Sequence, residues 1–137
     1  MGEWVKEQLP HRAGNPSAWH QCEFVPGEAM KFIVGEEWLG WRDWSRPEGT
    51  YERLAWNILD RDKGIPEVII QKISTLVIKL EHNAQPPAFH EDPVILRRIA
   101  PEGQITVVEG HHRIAAVCVA VASSKEIGTC VAYLAEL

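Results

Sequence analysis

The sequence predicts a small α+β domain, a mixed sheet with helices packed against it. Three observations point there. Tyr51–Leu59 and Pro66–Leu80 repeat apolar residues at helical spacing, Ile114–Ala122 is apolar throughout, and runs rich in β-branched residues fall between and after these segments. The 137 residues are one domain's worth, enough to bury a core without metal or disulfide staples.

The first fifty residues stand apart. They hold most of the tryptophans and many Gly, Pro and Glu residues. They are expected to form an N-terminal extension, residues 1–50, packed on a domain of residues 51–137. Within it, Glu23–Val25 and Lys31–Val34 are two short strand candidates separated by Pro26-Gly27. Gly35 to Thr50 reads as an irregular, Trp-bearing loop. Thr50 is an N-cap for the helix Tyr51–Leu59, supported by Glu52 in the first turn, and Gly64 stops it. Pro66 opens a second helix carried by Ile69, Ile73, Leu76, Val77 and Leu80, with Asn83 as its C-terminal cap. Gln85-Pro86-Pro87 is an extended connector. Val94–Ile99 and Gln104–Val108 then read as a hairpin turned by Ala100-Pro101-Glu102-Gly103. A helix from His112 to Ala122 and a strand from Thr129 to Leu134 complete the chain.

Composition removes several function classes. The formal net charge is −5, so this is no bulk-electrostatic DNA binder, and any DNA contact is expected to be local and weak. No apolar run approaches the roughly 20 residues of a membrane span. Met1–Lys6 lacks the apolar core of a signal peptide, and Lys6 stands where an N-myristoylation motif takes Ser or Thr. Cys22, Cys118 and Cys130 are odd in number and form no Cys-x-x-Cys pair, and the flanks of Cys118 and Cys130 are apolar. Thiols buried as small hydrophobes in a reducing cytoplasm are expected.

The segment with chemistry in it is Glu109-Gly110-His111-His112-Arg113. A helix as apolar as Ile114–Ala122 is buried on most faces. Yet its first turn carries two histidines and an arginine, and cations there oppose the helix dipole at about 0.3–1 kcal/mol each. An N-terminus built for stability prefers Asp, Ser or Thr. The pattern makes sense with a phosphate held by the free backbone N–H groups and by His111, His112 and Arg113. Gly110 permits the sharp strand-to-helix turn and a close approach of the anion. Glu109, ending the strand, is placed as an acid or base or as a metal-side carboxylate, with His112 as a second catalytic candidate. The plainer alternative is a surface turn whose charged side chains are merely solvated. Arg113, at a helix start, is expected to contribute little packing.

Val107-Val108-Glu109-Gly110-His111-His112-Arg113-Ile114-Ala115-Ala116 closely resembles the (D/E)-G-x-(H/R)-R-x-x-A box of the ParB/sulfiredoxin superfamily. Upstream, the helix to His82, then Asn83-Ala84-Gln85-Pro86-Pro87 and the hairpin, resemble the helix, G-Q-x-x-P stretch and hairpin that precede the box there. The likeness spans roughly residues 65–137, and only the box is specific. It implies a ParB/sulfiredoxin-like fold, with the box binding phosphates of ATP, CTP or a phosphorylated intermediate, and His112 and Arg113 matching the phosphate-contacting pair. Sulfiredoxins place a catalytic cysteine where this chain has His111, so sulfinic acid reduction is not expected. No helix-turn-helix segment follows the box, so centromere-type DNA reading is not expected either. The box also resembles that of the longer ParB-like free serine kinases.

The expected function is therefore binding of a nucleotide with Mg²⁺, ATP or CTP, followed by hydrolysis or phosphoryl transfer. A ParB-like nuclease and a non-catalytic plasmid- or phage-type accessory protein are the rivals. Trp38, Trp41 and Trp44, three apart, offer a base-stacking or protein-partner surface, although aromatic cover over the core is the simpler reading. His82, His90, Glu91 and Asp92 lack metal-ligand spacing and are simplest as solvated residues, as is Asp60-Arg61-Asp62-Lys63. Of Arg97 and Arg98, which alternate across a strand, only one can face the site. Ser74 and Thr75 lie mid-helix, with no direction fixed by the sequence.

Overall fold

The computed structural model describes residues 18–35, 40–82, 94–98 and 103–136. Among them, the fold is α+β: a mixed five-stranded sheet with five helices. The strands are β1 (Ala18–Phe24), β2 (Ile33–Val34), β3 (Ile95–Arg98), β4 (Ile105–Glu109) and β5 (Cys130–Glu136). The helices are the single turns α1 (Pro26–Ala29) and α2 (Trp41–Trp44), then α3 (Tyr51–Leu59), α4 (Glu67–His82) and α5 (His111–Ala122).

The strand order is β1-β5-β3-β4-β2. β1 runs antiparallel to β5, β5 parallel to β3, β3 antiparallel to β4, and β4 parallel to β2. The two early strands thus lie at opposite edges and never meet. A tight hairpin between them would need positive φ, and Gly27 does not adopt it. Instead Pro26 and Gly27 enter the turn of α1, closed by the Glu28 N–H donating to the Val25 carbonyl at 2.9 Å. The segment before Thr50 is therefore woven into both edges of the sheet.

Helices cover one face of the sheet. Phe24, Val34, Leu96, Val107, Cys130, Ala132 and Leu134 share one apolar cluster with the inner faces of α3, α4 and α5. α5 lies at its centre, and every residue from Arg113 to Ala120 is buried. The opposite face holds a smaller cluster of Ile95, Val108 and Tyr133. Among the described residues no helix is long and apolar enough to cross a membrane.

Local signals account for the middle elements. The Thr50 Oγ1 accepts the Arg53 N–H at 3.2 Å, capping α3 as expected. The Pro66 carbonyl accepts from Ile69 and Ile70, starting α4. The hairpin pairing of β3 with β4 is present, while residues 99–102 of its turn, Asn83 and the Gln85–Pro87 connector lie outside the described residues. The expected irregular loop at 35–50 is instead partly ordered into α2. Ser45, fully buried, donates to the Arg42 carbonyl at 2.8 Å. Asn57 of α3 donates to the carbonyls of Trp44 and Arg46 at 2.9 and 3.0 Å, tying α2 onto α3.

Candidate functional site

β4 ends at Glu109, and Gly110 turns the chain directly into α5. The register between β3 and β4 slips beside this point: Ile95 faces Glu109 while Leu96 faces Val107, leaving Val108 as the extra residue. Such a bulge bends the strand and re-aims the residues that follow it. Gly110 has φ +96 and ψ 29, in the region L side chains avoid. A Cβ there would stand 2.9 Å from the Val94 Cγ2 and 3.2 Å from the Arg113 Nη2. Glycine is therefore required twice, for its backbone angle and for the close neighbours it admits.

The same contact locates Arg113. Its guanidinium folds back over the Gly110 Cα, and the residue is 8 % exposed. This corrects the expectation that it sits open at a helix start and adds little to packing: the space left by the missing Cβ draws it inward.

The two histidines rest on Trp41. His111 stacks on it, with ring centroids 5.7 Å apart and planes 27° apart. His112 meets it edge-on at 4.9 Å and 87°. Trp44 packs edge-to-face on Trp41 at 5.3 Å. Trp41 is fully buried, so it neither stacks a base nor faces a partner. Trp44 is half-buried, and Trp38 lies outside the described residues. The Tyr51 hydroxyl lies 2.8 Å from the His111 Nδ1, a hydrogen bond across 60 residues of sequence.

Charge surrounds His112. Burial, then the positive charge of Lys72 on α4, then His111 and Arg113, push its imidazole down to about 4, so it is neutral at neutral pH. Its Nε2 is buried and has no hydrogen-bond partner among the described residues. The first turn of α5 contains no acidic residue. The positive end of its helix dipole, Arg113 and Lys72 thus make an electropositive corner. Glu109, half-buried, is the carboxylate next in sequence to it.

Other candidates fall elsewhere. Arg97 and Arg98 pair with Thr106 and Ile105, at the far end of β4 from Gly110, so neither faces the site. Arg98 ion-pairs with Glu136, with His20 3.8 Å from the same carboxylate. Ser74 and Thr75 are exposed on α4, and the Thr75 hydroxyl donates back to the Gln71 carbonyl at 3.0 Å. His82 is exposed, and His90, Glu91 and Asp92 lie outside the described residues. Asp60 to Lys63 are exposed after α3, with Arg61 paired to Glu67. No group of three metal-ligating side chains occurs among the described residues. Among the described residues this leaves no protein cage for Mg²⁺, an ion usually held by one or two carboxylates together with substrate phosphates.

Sequence reasoning missed Tyr51, Trp41 and Lys72 as site residues. Each comes from another element, and nothing in the local sequence ties it to the box.

Compared with protein-family models, curated proteins and solved structures, the chain has no significant match.

Proposed function

We propose that this protein binds the phosphates of a nucleotide, with Mg²⁺, at the N-terminus of α5, and hydrolyses the nucleotide or transfers its phosphoryl group. The observation that carries this reading is the electropositive corner itself. Two helices bring Lys72, His111 and Arg113 close enough to depress His112, and no acidic residue of the first turn offsets them. An anion there would be held by the helix dipole, by Arg113 and by Lys72. The resemblance of Glu109–Arg113 to the ParB/sulfiredoxin box supports the same assignment. Neutral His112 serves as a hydrogen-bonding group, and Glu109, beside the cradle, is the residue to which we assign the acid or base role. Mg²⁺ would supply charge neutralisation of the phosphates. Three free cysteines suit the cytoplasm in which such a ligand is found.

The test is a titration of Mg-ATP, Mg-CTP and a short random duplex at physiological salt, with phosphate release followed in parallel. A Mg-nucleotide should bind more tightly than duplex DNA, since each duplex phosphate contact adds a salt slope of about −0.9 and this corner offers few. Lys72→Ala, on an exposed helix face, should weaken nucleotide binding without moving the melting temperature. Tighter binding of duplex with no nucleotide response would favour the nuclease or accessory-protein reading. Unchanged affinity in Lys72→Ala would remove the corner as the binding site.

A further inference from the structure

The two edges of the sheet are finished differently. At the β2 edge the chain covers its own backbone. Ile33 bridges to Thr50, the Val34 N–H donates to the Gly49 carbonyl at 2.8 Å, and the Tyr51 N–H donates to the Phe32 carbonyl at 2.9 Å. At the β1 edge, nothing among the described residues pairs with the outer side of the strand. Every second residue of an edge strand turns its N–H and C=O outward, which makes the edge a template for another strand. Proline, lysine and bulges are the usual devices against such pairing, and β1 has none of them: its register on β5 runs unbroken from Ala18 to Phe24.

The strand is also complementary to itself. Cys22 and Phe24 belong to the cluster under the helices, so His20 shares their face, and Gln21 and Glu23 take the opposite one. His20, Gln21 and Glu23 are exposed. In an antiparallel pair with a two-fold axis at Gln21, that residue meets its own copy, His20 meets Cys22, and Glu23 meets position 19. The one carboxylate of the strand therefore avoids its like, and like charges directly opposite are what destabilise such a pair. Across the axis, each Gln21 amide offers the other a donor and an acceptor. Each His20 keeps the Glu136 carboxylate of its own chain 3.8 Å away. We infer that β1 pairs antiparallel with β1 of a second copy over Trp19–Glu23, about a two-fold axis at Gln21, joining the two five-stranded sheets into one. The inference is independent of the phosphate reading, and it gives the N-terminal part of the chain a role in assembly.

The experiment is sedimentation equilibrium of the full chain at rising concentration, with amide hydrogen exchange read on the same samples. A dimer should form, and protection that grows with concentration should appear in Trp19–Glu23. Gln21→Lys sets two positive charges opposite each other on the axis and should weaken the dimer several-fold at low salt, less at high salt. Glu23→Lys meets position 19 instead and should associate nearly as wild type does. Both changes lower the net negative charge, which by itself favours association, so weakening by Gln21→Lys reports the local contact. Mixing the Gln21→Lys and Gln21→Glu chains should restore the dimer. A wild-type chain that stays monomeric at millimolar concentration overturns the inference, and that result needs no variant to fold. So does a dimer with no added protection in β1, or one that Gln21→Lys and Glu23→Lys affect equally.

Discussion

Replacing Gly110 by alanine isolates the feature on which the geometry of the site depends. Two separate terms contribute. A non-glycine residue at positive φ costs about 1–2 kcal/mol. The new methyl would also stand 2.9 Å from the Val94 Cγ2 and 3.4 Å from the Val94 Cα. Val94 is fully buried and backed by the sheet, so it cannot swing away, and such overpacking costs about 1–3 kcal/mol. The Arg113 Nη2, at 3.2 Å, is the end of a flexible chain and gives way cheaply. Gly110→Ala should therefore destabilise by about 2–5 kcal/mol, or ~6–15 °C in melting temperature for a chain of this size. Gly64→Ala is the control: φ there is +62, and nothing lies within 4 Å of an added Cβ. It should lose only the backbone term, about 1 kcal/mol. Urea unfolding of both variants gives the comparison. Adding Val94→Ala to Gly110→Ala should recover about 1 kcal/mol relative to the sum of the single changes, because it removes the closest contact. If Gly110→Ala is no less stable than Gly64→Ala, or the double variant is strictly additive, the close-approach argument is wrong.

His112 makes stability depend on pH with a definite sign. Its folded pKa, about 4, lies below the ordinary value of 6.5, so between these values the unfolded chain binds more protons than the folded one. This contribution should be whole above about pH 6.5 and lost as the pH falls towards 4, and His112→Gln should flatten that window in urea titrations at fixed salt. Bound phosphate should raise the His112 pKa, which ring NMR reads directly. Among the thiols, burial pushes Cys118 well up and Cys130 up to about 12, and both are fully buried. A thiol reagent should label Cys22 in the native protein and the other two only on unfolding; rapid native labelling of Cys118 would contradict the burial of α5.

Elements whose causes are local were legible in the sequence. Thr50 caps α3 through a bond three residues long, and the apolar run of α5 needs no partner to be recognised as buried. Strand pairing is different. Nothing in Glu23–Val25 or Lys31–Val34 says that the first belongs beside β5 and the second beside β4, because those pairings join the two ends of the chain. The box was legible as a strand, a glycine and a helix start. The pose of its side chains was not. Helical position alone puts Arg113 near solvent, and only the packing of Val94 against Gly110 shows where the guanidinium has room. The tryptophans were legible as cover, which Trp41 is, but what it covers is the histidine pair.

On the proposed reading, the charge of the corner limits which ligand it can hold. With His112 neutral, the fixed positive charge of the corner comes from Arg113, Lys72 and the partial charge of the helix end. That is too little to offset a bare triphosphate, and far too little for a duplex that presents a charge about every 1.7 Å. A triphosphate already carrying Mg²⁺ has two of its charges cancelled and matches what remains. The histidines then contribute direction, as rings set on Trp41, while the arginine and lysine contribute attraction. The division follows from burial: the aromatic platform that orients the rings also makes it costly to charge the one pressed edge-on against it.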